Sequence, residues 1–257
     1  MRTEKIIRSQ TKESLKGNWT APVAGLFVLL ALIYLLEILF EALCTWTGVL
    51  SDEKIQSGHE IELIIIICSV FLLTFAISPF KNGYFKLCYN IADGRSDGLR
   101  DMFYFVSGIK MYFKTLQFNI VIALKKLLYT LIGFLPYLAF KAVESFIVPK
   151  GKNTEIFDII GIILICLGIV ITLYFSIRLF VDEFVYVDNP EANVFDIART
   201  ISKNHLNDYY KLVFSFIFWI LSCFFVLPGL YVIPYFTTSL GTTSKWLINL
   251  YKEGKTV

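Results

Sequence analysis

The run IIGIILICLGIVI at 159–171 limits what this chain can become more than any other stretch. It does not alternate, as a barrel strand between lipid and lumen must, and it lacks the polar face of a helix on a soluble domain. It lies within an apolar segment at 157–181. At about 1.5 Å per residue, a helix of that length clears the ~30 Å hydrocarbon core of a bilayer. Lipid offers the backbone no hydrogen-bond partners, so such a run persists there only as a helix that satisfies its own N–H and C=O groups. The rest of the chain agrees, with 56% hydrophobic and only 18% charged residues and a mean hydropathy of +0.64. The expected class is therefore all-α, a polytopic transmembrane helical bundle in one membrane domain.

Segment by segment, residues 1–19 place Arg2, Lys5, Arg8, Lys12 and Lys16 around Ile6, Ile7 and Leu15. This pattern predicts an amphipathic helix on the cytoplasmic face. Apolar spans follow at 21–43, 61–80, 127–148, 157–181, 209–227 and 234–250, about six in all. The stretch after 209 is barely long enough for two crossings, so five spans with the tail along a surface is the alternative. Pro79 and Gly83 are expected to stop the second span, Pro136 to kink the third, and Pro228, Gly229 and Pro234 to turn the chain between the last two. The third span starts at 127 because Lys125 and Lys126 precede it, and a lysine at mid-membrane costs roughly 2.5 to 3.5 kcal/mol. Apolar residues at 102, 105, 106, 109, 112, 113 and 116 predict a second interfacial helix. Gly161 and Gly168 permit close helix approach. Residues 182–210 read as a polar cytoplasmic connection, with Asn193 capping a short helix that presents Val194, Ile197, Ala198 and Ile201.

Charge tests this layout. Of 24 Lys and Arg, 19 fall on segments assigned to the inside and three, Lys54, Lys150 and Lys152, in outer connections. That bias puts both termini on the cytoplasmic side of the membrane. The charged residues ahead of the first full-length apolar run argue against a cleavable signal peptide. A net charge of +3 without a Lys/Arg stripe gives no footprint for nucleic acid. Five scattered cysteines without a CxxC pair and two distant histidines predict no disulfide framework, no metal site and no cofactor.

Ionisable groups inside apolar runs are the natural site candidates. Glu37 and Lys141 fall at one depth in the first and third spans and form a candidate intramembrane pair, with Glu41 and Glu144 one turn from them. The plainer reading has Glu41, Lys141 and Glu144 reaching the outer interface on their own stems, with Glu37 neutralised or packed. Arg178 and Asp182 are four residues apart and can meet on one helix face as an interfacial anchor. Asp188, in Asp188-Asn189-Pro190, reads first as a local cap in a helix-start turn and second as a ligand. No GxSxG, HExxH, P-loop or GxGxxG is present, so no catalytic set is predicted.

Several of these residues also carry a resemblance. Leu15-Lys16-Gly17-Asn18-Trp19, then Pro79, Gly83 and 101–105, then Asp188-Asn189-Pro190, Ala198, Ser202, Leu212, Phe214 to Phe216, Trp219, Gly229 and Pro234-Tyr235 resemble a bacterial integral membrane family catalogued as domain of unknown function 975. The similarity runs over nearly the whole chain. It departs where Pro136 is followed by Tyr137, since the family usually has Pro-Gly there. The family implies a multi-spanning protein with no established activity. The expected function is therefore a non-enzymatic integral protein of the bacterial cytoplasmic membrane. Its partners would be the lipid bilayer and a membrane protein, and toxin immunity or membrane stress its setting. The alternative is a small transporter or permease, motivated by Thr237, Thr238, Ser239, Thr242, Thr243 and Ser244 on the last span.

Overall fold

The computed structural model describes residues 3–47, 60–147, 155–223 and 226–254. In chain order the elements are α1 (Thr3–Leu15), α2 (Thr20–Thr47), α3 (Glu60–Asp93), a 3-10 segment (Gly98–Val106), α4 (Ile109–Ile147), α5 (Glu155–Asp188), α6 (Val194–Ser215), α7 (Ile217–Ser222) and α8 (Val226–Lys252). Among the described residues there is no strand, so the protein is all-α. Among the described residues, three helices contain stretches long and apolar enough to cross a membrane: Thr20–Ala42, Ile109–Ser145 and Phe157–Asp188.

The molecule divides by polarity. Beyond Lys125 and Asp182, α4 and α5 run side by side as a long antiparallel hairpin. The hairpin turns Leu127, Leu131, Leu135, Ile159, Ile163 and Val170 outward. Its two helices can lie close because glycine faces glycine. A Cβ on Gly133 would fall 2.7 Å from the Gly168 carbonyl oxygen and 2.4 Å from Thr172 Oγ1, and one on Gly168 would fall 2.9 Å from the Gly133 carbonyl. Gly168 thus does what its position suggested, with Gly133 as partner. Gly161 meets nothing nearer than 3.8 Å.

On the other side of that level lies a packed head. It is built from α1, the second half of α3, the 3-10 segment, the first half of α4, the end of α5, and α6 and α8. Leu15, Leu87, Cys88, Phe105, Phe184, Tyr209, Leu212, Leu240 and Leu247 are buried in one core. The 3-10 segment lies directly on α3, where a Cβ on Gly83 would come 1.8 Å from the Met102 carbonyl oxygen, so only glycine fits. Gly241 likewise lets α8 approach the α3 backbone at Cys88 and Tyr89.

Several expectations change. The apolar face of the 1–19 segment packs into protein: α1 buries Ile7, Thr11 and Leu15 in the head, with Thr11 Oγ1 3.1 Å from Thr242 Oγ1. Residues 102–116 are not one interfacial helix, because Gly98–Val106 is 3-10 and α4 begins at Ile109. The helix that carries the third apolar segment begins well before 127, at Ile109, and passes unbroken through Lys125 and Lys126. Pro79 and Gly83 do not stop α3, and the 182–188 stretch is the buried end of α5, not a connection. Finally, α8 runs straight through Pro228, Gly229 and Pro234. Pro228 stands in the first turn of α8, where its missing N–H leaves no intrahelical bond unmade. The chain instead breaks at Phe216 and again after Ser222.

Candidate functional site

The acidic doublet Asp182-Glu183 falls where the apolar face of α5 ends. There it meets three lysines from two other helices. Lys125 Nζ donates to Asp182 Oδ2 at 2.6 Å, and Lys81 Nζ to Glu183 Oε1 at 2.7 Å. Lys126 Nζ stands 3.7 Å from the same Glu183 oxygen. The carboxylates are almost wholly buried, while the lysine stems emerge toward the surface. Lys125 also lies 3.8 Å from the Phe195 ring centroid, a cation–π contact that ties the seam to α6. Two carboxylates at this level would be costly alone; paired and hydrogen-bonded, they fasten α3, α4 and α5 together.

Beyond the seam, α5 ends among aromatic and basic groups. The Tyr186 ring stacks on Phe118 at 4.0 Å, and its hydroxyl lies 2.9 Å from Thr115 Oγ1. Asp188, the last residue of α5, accepts from Tyr89 Oη at 2.8 Å and from Lys252 Nζ at 2.9 Å, while Lys86 Nζ donates to the Val187 carbonyl at 2.8 Å. Two cations therefore sit at the negative end of the α5 dipole. The turn that follows is held by Asn189, whose Oδ1 accepts from the Glu191 N–H at 3.1 Å. The local cap expected of Asp188 is thus made one residue later.

Lys86, Tyr89, Asn90, Arg95, Asp188, Asn189 and Lys252 line an open cleft of about 470 Å³. Burial lowers the Lys86 pKa, with Asp188 and Asp101 opposing the shift. Burial raises that of Tyr89, and Asp188 adds to it. The cleft offers three cationic side chains, one carboxylate and amide donors, a lining suited to a small anionic group. Among the described residues, no three His, Cys, Asp or Glu side chains gather closely enough to hold a metal ion.

The remaining candidates are scattered. Glu37 and Glu41 lie on exposed stretches of α2. Lys141 bonds Glu144 at 2.8 Å on its own helix, and among the described residues α2 and α4 do not touch. Glu37 and Lys141 are therefore not brought together. Arg178 does not hydrogen-bond Asp182, whose oxygen is taken by Lys125; it faces a separate pocket toward α6. The seam partners Lys81, Lys125, Lys126 and Glu183, and the cleft residues Lys86, Tyr89 and Lys252, were not foreseen. One signal was available: a Lys-Lys doublet and an Asp-Glu doublet, each interrupting or ending an apolar run.

The hydroxyl stripe of α8 is wholly internal. Thr238, Ser239, Thr242, Thr243 and Ser244 donate to the carbonyls four residues back, and Tyr209 Oη pairs with Ser244. They pack α8 against α1, α3 and α6.

An all-α protein with apolar helices suited to a membrane and a polar seam above them is the class that this fold defines. The family model described as "Protein of unknown function (DUF975)" matches residues 1–242, and the chain belongs to that family. Comparison with curated proteins and with solved structures gives no match.

Proposed function

We propose that this chain is a non-enzymatic integral protein of the bacterial cytoplasmic membrane, acting through lipid and protein contacts made by its head on the inner side. The observation that carries the proposal is the change of surface at the Lys125–Asp182 level. On one side α4 and α5 expose leucine and isoleucine along their length; on the other the end of α5 is buried among polar and aromatic groups, together with the face of α4 that carries Thr115, Phe118, Asn119 and Ile122. A hairpin with that surface is stable in lipid, and it holds the head and its basic cleft against the membrane. Membrane stress and exposure to a membrane-active toxin are the settings in which such a contact protein would matter.

Transport is the second-ranked reading. The feature that motivated it, the α8 hydroxyls, is packed between helices and bonded to its own backbone.

The test is extraction of the full chain with its surrounding lipid, followed by identification of what is retained, alongside a deletion strain challenged with membrane-active peptides. A reproducible lipid or protein companion, lost on Lys86→Gln with Lys252→Gln while the protein stays in the membrane, is the expected result. No companion, together with a deletion strain of unchanged membrane behaviour and toxin sensitivity, would overturn the proposal. Flux in proteoliposomes would replace it with transport.

A further inference from the structure

A second pocket, of about 260 Å³, opens between α5 and α6 and is lined by Arg178, Arg199, Ser202, Lys203 and Leu206. Its lining is strongly basic. Among the described residues, Lys81, Lys114, Lys125, Lys126, Lys141, Lys245 and Lys252 all reach a carboxylate. Arg178, Arg199 and Lys203 reach none, and the nearby acid on α6, Asp208, faces His205 at 3.7 Å. Arg178 feels the Asp182 carboxylate one turn away without bonding it, so three cations converge on one space with a single carboxylate near, and it is shared with Lys125; an anion in the pocket would relieve their repulsion. The fourth polar group points the same way. Ser202 lines the pocket and is 94% buried, and its Oγ has no hydrogen-bond partner in the protein, although a helical serine has the carbonyl four residues back within reach.

The position of the pocket selects the kind of anion. Arg178 is the last charged residue on α5 before the apolar hairpin, and Leu173 and Tyr174, one turn away, are exposed. On α6 the helix continues past the pocket to Tyr210, which stacks on Tyr174 at 4.4 Å and donates to its carbonyl, and then to the exposed Phe214. The cationic space therefore opens beside an apolar surface shared by the same two helices.

We propose that this pocket binds the phosphate of an anionic phospholipid. Arg178, Arg199 and Lys203 surround the phosphodiester, Ser202 supplies a neutral donor, and the acyl chains lie along Leu173, Tyr174 and Phe214. Basic pockets between helices at the inner surface are where anionic headgroups bind, and guanidinium groups suit phosphate oxygens bidentately. The inference rests on the reading of the chain as a membrane contact protein and names one of its contacts.

The test uses the full chain in detergent micelles, titrated with phosphatidylglycerol or phosphatidylcholine and read by native mass spectrometry. Arg178→Gln with Arg199→Gln and Lys203→Gln is compared with Lys12→Gln, Lys16→Gln and Lys110→Gln, which removes the same charge elsewhere. Since each basic residue at a membrane surface is worth about 1 kcal/mol, the pocket triple should weaken phosphatidylglycerol binding by at least about tenfold. The control triple should retain it, phosphatidylcholine should bind more weakly throughout, and millimolar inorganic phosphate should not displace the lipid. Unchanged binding in the pocket triple, or equal losses in both triples, would overturn the site. Displacement by inorganic phosphate would reassign it to a soluble anion. The exposed single Arg199→Gln, with Ser202→Ala, repeats the comparison should the triple fail to fold. A negative result with the protein still inserted in bilayers counts against the pocket alone, whereas failure to insert counts against the membrane reading itself.

Discussion

Lys125 and Asp182 are 57 residues apart in sequence and 2.6 Å apart in space, and their contact marks the level at which the hairpin becomes the head. Removing either charge leaves the other desolvated. Asp182→Asn or Lys125→Met should cost about 2 kcal/mol, less than the roughly 3 to 5 kcal/mol of a fully buried pair because the lysine side chain is 31% exposed. Thermal melts of the singles and of the double Lys125→Asp with Asp182→Lys check this. Recovery in the swap is expected, and a swap no better than the sum of the singles would show that the pair is not coupled.

The Gly133–Gly168 crossing has no room for a side chain. Gly133→Ala should lower stability by about 1 to 3 kcal/mol and splay the hairpin. Gly161→Ala, with nothing nearer than 3.8 Å, should be neutral within about 0.5 kcal/mol. A cross-link engineered between positions 140 and 157, whose aromatic rings lie 6.0 Å apart, should form in the second variant and weaken in the first.

Burial pushes the Cys88 thiol from 9.0 up to about 12. Between those values the unfolded chain loses the proton that the folded chain keeps, so the stabilisation is fully present below pH 9 and falls away as pH rises toward 12. Tyr84 and Tyr89, also raised by burial, act in the same direction. Melting temperature should therefore drop through this window, and less steeply in Cys88→Ala. At neutral pH a maleimide should leave Cys88 untouched until the protein is unfolded.

Asn82 is fully buried, and neither its Nδ2 nor its Oδ1 has a partner in the protein. An unsatisfied buried polar group costs roughly 1 to 3 kcal/mol, so Asn82→Leu should raise the melting temperature by a few degrees. A fall instead would show that the amide has a partner, such as an ordered water.

α1 and α8 join through Thr11 and Thr242, and Tyr235 Oη donates to the Arg8 carbonyl, so the two helices belong to one packed head. Single cysteines at positions 16 and 253, in a background without other reactive thiols, should react from the same membrane face. Labelling from opposite faces would contradict the packed head.

What could be read in the sequence was what composition and short-range spacing control. The uninterrupted apolar runs required helices, because lipid leaves a backbone no other way to bond, and among the described residues three of those helices are long and apolar enough to span. The Leu15-to-Trp19 and Asp188-Asn189-Pro190 motifs marked the family. The face of Val194, Ala198 and Ile201 was legible because helical periodicity is local, and all three are buried.

What the tertiary structure alone decided was which charges are compensated. Lys125 and Lys126 looked too costly to lie within a long apolar helix because their cost depends on the environment, and the residues that change it, Asp182 and Glu183, stand on another helix. The α8 hydroxyls looked like a pathway until α1, α3 and α6 covered them. Pro228 and Pro234 looked like a turn, but the packing of α8 into the head outweighed their local preference and the break fell elsewhere. Arg178 seemed tied to Asp182 by spacing, and only the packing of α6 on α5 turned it toward Arg199, Ser202 and Lys203. Helix and strand preferences are set within a few residues, whereas the energy of a charge or a hydroxyl is set by whatever the fold brings against it.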